Sequence, residues 1–303
     1  MLAILIINYK NYQQTIECIS SIKETTHNLK YHIYVLDNAS PNESYRLLKK
    51  NYENDSLVSI INSDINLGYA KGNNLLTTKA INQKSNYLLF SNSDILYKKD
   101  SIKNLLECLK NDSLDFVAPK VFSPSGKIQK SFKLELDQPN FNFLLNYSYF
   151  SSFLFFKHRK KNKSPEINNL TKVKWVSGCS FMAKTSSFAK IGMFDTHTFL
   201  YYEESCLAKK ILKHKMLIAY QPNAHVIHFH QGSVGSFNVN VSLAGFDSCC
   251  YYFKQYTKPT RIFFFLLWVA HFSNILWQYK KKKSFSLYRN YFKKSILVLR
   301  KYW

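Results

Sequence analysis

The sequence predicts an α/β fold: a mainly parallel sheet flanked by helices, followed by a helical tail rich in basic and aromatic residues. Three observations lead there. Short apolar runs alternate with segments of helical periodicity through residues 2–109, the pattern of strands joined by right-handed crossovers. Each run stops abruptly in a cluster of polar, turn-forming residues, at the strand end where open α/β sheets bind ligands. Hydrophobic residues make up 46% and aromatic residues 16% of the 303-residue chain, which supports a sizeable core and excludes a disordered chain.

The elements follow in order. Residues 2–7 form a first strand and 15–22 begin a helix with Ile16, Ile19 and Ile22 on one face. Residues 32–36 form a second strand ending in Asp37-Asn38-Ala39-Ser40-Pro41, and 43–52 a second helix. A third strand, 57–61, is followed by Asn66-Leu67-Gly68-Tyr69-Ala70-Lys71-Gly72-Asn73-Asn74, which opens a helix to Ile81. A fourth strand, 87–90, runs into Ser91-Asn92-Ser93-Asp94, and a helix over 101–109 takes Asp100 as its N-cap. Two strand pieces flank Ser123–Gly126, residues 173–183 read as one strand, and 186–191 as a short helix ended by Gly192. A helix over 203–213 and strands at 215–220 and 224–230 complete a domain of residues 1–235. Within it, 1–115 read as a nucleotide-binding half and 116–235 as an acceptor and catalytic half.

The charge is uneven. Lys and Arg number 42 against 19 acids, a net charge of +23, with lysines crowding 157–174 and 254–301. Such a balance calls for an anionic partner. Residues 262–279 are apolar but interrupted by His271, Asn274 and Gln278 in one helical stripe, marginal for crossing a bilayer. A second amphipathic pattern sets Tyr288, Tyr291, Phe292, Ile296, Leu299 and Trp303 against Arg289, Lys293, Arg300 and Lys301. A basic helix with large aromatics predicts that residues 236–303 associate with an anionic membrane surface, joined by the aromatic, basic stretch 141–163; a helix pair packed on the catalytic domain is the rival reading. Six cysteines without a CxxC pair or metal-ligand spacing, and no signal peptide before the 2–7 run, read as reduced cytoplasmic thiols. Nothing in the chain is a nucleic-acid-binding motif, so nucleic acid, suggested by charge alone, is not the expected partner.

Four strand ends carry polar loops: Asn8–Asn11, Asp37–Ser40, Asn66–Asn74 and Ser91–Asp94. In a doubly wound sheet they converge on one crevice. Asp37 suits a uracil or thymine N3–H or a ribose hydroxyl, and Gly68 and Gly72 allow close backbone approach. Asp94 offers a hard anionic oxygen and Asn92 a neutral one, a pairing that holds a divalent cation against a diphosphate. A strand followed by an Asx turn would also explain that tetrad. In His225-Val226-Ile227-His228-Phe229-His230 the histidines 228 and 230 share a face, either as ligands or as strand histidines. Trp175 reads equally as a sugar platform or a core residue. There is no G-x-G-x-x-G and no P-loop, which counts against NAD and ATP.

The ordered blocks Ile6-Ile7-Asn8-Tyr9, Asp37–Ser40, Asn66–Ala70 with Gly72-Asn73, Ser91–Asp94, Trp175-Val176-Ser177-Gly178-Cys179, Gly192-Met193-Phe194-Asp195, Phe199–Glu204 and Val226-Ile227-His228 resemble the family 2 glycosyltransferases, specifically the bacterial rhamnosyltransferase-like branch. The resemblance implies a GT-A fold and an inverting transferase that uses a nucleotide-diphosphate sugar, UDP- or dTDP-linked, with Mg²⁺ or Mn²⁺. It places Asn8, Tyr9, Asp37, Asn66, Gly68, Asn73 and Asn92 on the donor nucleotide, and Asp94, Asn92 and His228 at the metal. It makes Glu204 the general base with Glu203 in support, and sets Trp175, Gly178 and Asp195 toward the sugar and acceptor. The implied acceptor is a lipid-linked or cell-surface polysaccharide at the cytoplasmic face of a bacterial membrane. The chain departs from the family twice: the metal motif is N-x-D, and Glu203-Glu204-Ser205-Cys206-Leu207 stands where the family carries Glu-Asp-x-Asp-Leu. These departures leave open a non-catalytic homologue that binds sugar nucleotide.

Overall fold

A computed structural model describes residues 1–26, 28–111, 113–147, 167–229, 239–282 and 285–303, the side chains of 274 and 276–288 aside. Its order is set by the run at residues 2–7, which is buried on both faces and therefore lies inside the sheet. The first elements are β1 (Leu2–Asn8), α1 (Tyr12–Thr25), β2 (Tyr31–Asn38), α2 (Ser44–Tyr52), β3 (Val58–Ser63), α3 (Gly68–Asn82) and β4 (Tyr87–Asn92). The strands are parallel, in the order β3-β2-β1-β4. Side chains alternate across the pleat. Ala3 and Leu5 pack with Ala70, Leu76 and Ala80 of α3, whereas Leu2, Ile4 and Ile6 pack with Cys18, Ile19 and Ile22 of α1.

The second half adds β5 (Ile95–Tyr97), α4 (Ser101–Asn111), β6 (Phe116–Phe122), β7 (Phe132–Lys133), α5 (Phe141–Tyr147), β8 (Thr171–Val173), β9 (Trp175–Val176), β10 (Ser180–Lys184), α6 (Thr185–Lys190), α7 (Glu203–Lys213) and β11 (Ile218–His228). Strand β10 runs antiparallel between β4 and β6, and β11 is parallel to β6. The outer edge of β11 is shared by β8 at Ile218–Tyr220 and β5 at Val226–His228. The α/β class is thus realised as a mixed sheet.

Several sequence expectations change on tertiary grounds. The single strand expected over 173–183 divides at Ser177-Gly178-Cys179, because Trp175–Val176 leaves the main sheet to pair with β7 and Ser177 N–H donates to the carbonyl of Ser131 at 2.9 Å. The two strands expected at 215–220 and 224–230 are one strand, with a register shift between Gln221 and His225 around Pro222. Asp100 starts α4 through its carbonyl, which accepts from Asn104 N–H at 2.8 Å, with φ at 60°.

The tail is helical as expected: α8 (Val239–Tyr256), α9 (Arg261–Lys282) and α10 (Phe285–Tyr302). These helices share a buried cluster with the preceding domain, in which Leu144 of α5 and Cys206 of α7 meet Phe246, Cys249, Cys250, Tyr252 and Phe253 of α8, Phe263, Phe264 and Leu267 of α9, and Tyr302 of α10. His271, expected on a polar stripe, instead faces inward, with Nδ1 2.9 Å from the Tyr147 hydroxyl and Nε2 on the Tyr291 hydroxyl. Burial pushes its pKa down to about 3, so it packs as a neutral ring. No helix among the described residues is long and apolar enough to cross a membrane. Residues 148–163 of the aromatic, basic stretch and His230 lie outside the described residues.

Cys206 occupies this cluster with 0% exposure, at the position where the resemblance has an aspartate. A carboxylate there would be an unpaired buried charge. Cys206→Asp is expected to lower unfolding stability by roughly 3 kcal/mol or more in urea titration; a variant as stable as the parent would contradict this account of the site.

Candidate functional site

The site is built where β4 ends. Asn92 N–H donates to the carbonyl of Cys179 at 2.8 Å, which ties the strand end to the segment between β9 and β10. Two residues on, Asp94 is buried. Its Oδ1 lies 3.4 Å from Nε2 of His228, because β5 and β11 pair antiparallel and bring His228 back over Ile95. Phe229 N–H donates to the Asp94 carbonyl at 3.1 Å, which closes the corner. Gln129 orients the imidazole: its Nε2 donates to the His228 carbonyl at 3.1 Å, and its Oε1 lies 3.3 Å from His228 Nδ1. In the tautomer that donates from Nδ1, the Nε2 lone pair faces Asp94. Among the described residues no group of three or more His, Cys, Asp or Glu is gathered to hold a metal ion. The donor set here is one carboxylate and one imidazole, with Asn92, half-buried, two residues before Asp94 at the end of β4.

The neighbouring strand ends are tied to each other. Asp37, 1% exposed, accepts from Asn8 Nδ2 at 2.6 Å, from the Ser40 hydroxyl at 2.8 Å and from Ser40 N–H at 3.0 Å. Asn8 Oδ1 in turn accepts from the Thr15 hydroxyl at 2.8 Å. Asp37 therefore fixes the β1 and β2 loops and keeps one acceptor direction on Oδ1. Tyr9 is half-buried, with the Lys10 ammonium 4.8 Å from its ring centre. Asn66 Oδ1 accepts from Gly68 N–H at 2.9 Å and from Asn38 Nδ2 at 3.0 Å, while Asn73 donates to the Tyr69 carbonyl at 3.1 Å within α3. Gly68, at φ 70°, is needed for a close approach, but to the chain itself: a Cβ there would stand 2.4 Å from the Phe199 carbonyl oxygen. Gly72 likewise packs against Ile7 and Leu36.

On the opposite wall, α7 begins with Glu203 and Glu204. Gly178 N–H donates to Glu204 Oε1 at 3.0 Å, and the Tyr69 hydroxyl donates to the Gly178 carbonyl at 2.6 Å. A Cβ on Gly178 would stand 2.4 Å from Glu204 Oε1, so only glycine lets the carboxylate lie against this peptide. Burial raises the Glu204 carboxyl above the usual range; backbone N–H donors at Glu204 and Gly178 and the charge of Lys133 pull the other way. Glu203 is 3% exposed, its Oε1 has no hydrogen-bond partner among the described residues, and burial followed by the adjacent Glu204 holds its carboxyl well above the usual range. The Cys179 thiol, pushed up to about 12 by burial, feels both Asp94 and Glu204. The two walls thus meet across the Gly178-Cys179 peptides.

Trp175 and Asp195 are more occupied than the sequence suggests. The Lys133 ammonium sits 4.9 Å from the Trp175 ring centre, and the buried indole N–H has no partner among the described residues. Asp195 accepts from Tyr251 and Tyr256 of α8 at 2.8 and 2.6 Å through Oδ2, and from His197 N–H and Nδ1 at 3.1 and 2.9 Å through Oδ1. Burial alone would raise its carboxyl; these bonds, from Tyr256, His197 and Tyr251, hold it below the usual range. Sequence reasoning missed Gln129, Lys133, the Tyr69 hydroxyl and the Cys179 carbonyl. Tyr69 and Cys179 at least lay inside marked blocks; Gln129 and Lys133 carry no local signal.

Residues 3–192 match the family model described as glycosyl transferase family 2, a span that stops short of Glu203 and Glu204. The chain is 23% identical over 143 residues to rhamnosyltransferase WbbL of Escherichia coli K12, covering 47% of this chain and 52% of that protein. It is 35% identical over 63 residues to an N-acetylglucosaminyl-diphospho-decaprenol L-rhamnosyltransferase of Mycobacterium tuberculosis, covering 21% and 20% of the two chains. The matched stretch is thus about half or less of the length of these relatives. Among solved structures, GalNAc-T7 with UDP, GalNAc and Mn²⁺ superposes with a TM-score of 0.61 at 12% identity, over 84% of this chain and 48% of that one. Staphylococcus aureus TarS 1–349 in complex with UDP gives 0.53 at 12% identity, over 88% and 69%. These neighbours share the GT-A fold, and with the family match over most of its length the chain belongs to glycosyl transferase family 2.

Proposed function

We propose that the chain is an inverting glycosyltransferase that moves a sugar, a deoxyhexose such as rhamnose, from a UDP- or dTDP-linked donor to a hydroxyl of a lipid-diphosphate-linked or surface polysaccharide acceptor. The observation that carries this reading is the half-buried carboxylate of Glu204, raised above its usual range and fixed by Gly178 N–H, one peptide from the strand end that bears Asp94. The names of the relatives, both rhamnosyltransferases and one acting on a decaprenol diphosphate, support the substrate classes.

A divalent ion fits the donor set. Adjacent ligands of an octahedral ion at about 2.1 Å stand about 3 Å apart, and Asp94 Oδ1 and His228 Nε2 are 3.4 Å apart. Asp94 and His228, with Asn92, would hold Mg²⁺ or Mn²⁺. Bound there, the ion supplies charge neutralisation for the departing nucleoside diphosphate. Gln129 keeps the His228 ring oriented, and the Asp37–Asn8–Ser40 network holds the loops on which the nucleoside rests. Glu204 takes the acceptor hydroxyl's proton as that oxygen attacks the anomeric carbon from the face opposite the diphosphate. The new C–O bond forms, the bond to the diphosphate breaks, and the anomeric centre inverts.

Glu204→Gln keeps shape and one acceptor oxygen but takes no proton. Transfer should fall by about a hundredfold or more with donor binding retained, and Glu203→Gln should cost less. Because the Glu204 carboxyl titrates above the usual range and acts ionised, the parent's rate should rise with pH through that raised midpoint and fail below it. Single-turnover transfer by the two variants decides; equal, negligible losses would overturn the assignment.

The same reading places the enzyme on the cytoplasmic face of the membrane. On α9, Ile262 (69% exposed), Phe265, Leu266 and Val269 form one outward row, with the Trp303 ring beside Phe265 and exposed Lys258, Arg261 and Arg300 on the same helical unit. Apolar side chains ringed by cations suit an anionic bilayer interface. Phe265→Glu with Leu266→Glu should release the full chain from phosphatidylglycerol vesicles in co-sedimentation without changing its melting temperature; undiminished binding would contradict this surface.

A further inference from the structure

We infer that α8 is a positioning element for the base, holding Glu204 in place through residues 195–202. The inference rests on Glu204 as the base and goes beyond it, since it makes the C-terminal helical unit part of the active site rather than only a means of attachment.

The residues that lead into α7 are strained. Tyr201 and Tyr202, immediately before Glu203, lie in the left-handed region at φ 67° and 66°. Neither is glycine, so each conformation is strained and persists only where neighbours impose it. On one side, Tyr69 N–H donates to the Phe199 carbonyl at 3.3 Å, on the oxygen that Gly68 lets approach. Further restraint comes from α8 and from α7 itself. The Tyr201 ring lies against Gly245, with its Cδ2 3.0 Å from where a Cβ would stand. The Tyr202 ring packs on Tyr252 with centres 5.6 Å apart. Tyr251 and Tyr256 donate to Asp195 Oδ2 at the start of the segment. The Tyr202 carbonyl then accepts Cys206 N–H at 2.9 Å in the first turn of α7, the turn that carries Glu204.

The connection therefore runs from α8 to Asp195 and the two left-handed tyrosines, into the first turn of α7, and to the carboxylate on Gly178. The ionisable groups facing Glu204 are Glu203 beside it, Cys206 two residues on, Lys133 on β7, Tyr69 on α3 and Cys179. None belongs to α8, so α8 acts on the base by geometry and not by charge.

The test uses the full chain. Tyr251→Phe with Tyr256→Phe removes the two hydrogen bonds donated to Asp195 and the Tyr251 hydroxyl's contact with His197 Nδ1, but leaves both rings and His197 beside Asp195. Gly245→Ala presses a methyl on Tyr201, an exposed ring that has room to shift. Turnover is read as nucleoside-diphosphate release from dTDP-rhamnose with Mn²⁺ and N-acetylglucosaminyl-diphospho-decaprenol. Both variants should lose about tenfold or more in kcat with donor KM unchanged, as a displaced base requires. The acid limb of the kcat profile should move to lower pH as the carboxylate becomes more hydrated. A readout free of substrate accompanies this: hydrogen exchange at the Gly178 amide, which donates to Glu204, should speed up in both variants. Unaltered kcat, acid limb and Gly178 exchange, with or without a lower melting temperature, would overturn the inference. If the parent itself fails to turn over this pair, the choice of substrates or the proposed function is at fault, and Gly178 exchange alone decides the role of α8.

Discussion

The Gly178 peptide is the contact on which the rest of the site depends. Its carbonyl accepts from Tyr69, which α3 projects from the parallel half, and its N–H donates to Glu204, which α7 projects from the mixed half. The following carbonyl, Cys179, receives the N–H of Asn92 at the end of β4. Two successive peptide groups thus pin both halves of the sheet to one another at the crevice. The requirement on residue 178 is steric, because a side chain there would enter the space of the carboxylate. Strand β9 must therefore leave the main sheet before it and β10 rejoin it after, which is why one apolar run yields two strands in two sheets.

Both departures from the family's pattern find physical partners in this fold. Where the family's pattern carries a first carboxylate this chain has Asn92, and a buried imidazole, His228, stands against the carboxylate of Asp94. The second acid of the α7 motif has become Cys206, and that position faces the apolar cluster built by α8, α9 and α10. A charge there would sit among phenylalanine and tyrosine rings, where desolvation is costly. Cys206 and the tail are thus matched to each other, which links the altered α7 motif to the helices that cover it.

The parallel half was readable because its strands are buried on both faces and its loops are dense in turn formers, so local composition and tertiary role agree. The mixed half was less so. Strand β5 has three residues, too few for any period, and exists through its pairing with the end of β11. The bend at Pro222 belongs to one strand, a fact visible only from its continuous pairing with β6. In the site, Asp94, Asn92, Glu203 and Glu204 stood out because carboxylates and amides at strand or helix ends are local signals. Gln129 and the donors on Asp195 were invisible, since Tyr251 and Tyr256 reach it across 56 and 61 residues of chain. Asp37, Asn66 and Gly68 drew attention as ligand-facing residues, and much of their capacity goes to holding the loops together.

In the proposed function Asp94 and His228 form, with Mn²⁺ or Mg²⁺, the diphosphate end of a sugar-nucleotide site. Calorimetric titration of the full chain with UDP and with dTDP, in the presence and absence of Mn²⁺, tests it most directly. The account predicts that Mn²⁺ tightens binding of one of the two by about tenfold or more, and that Asp94→Ala removes this gain. Equal affinity with and without the ion, or a gain that survives Asp94→Ala, would contradict it.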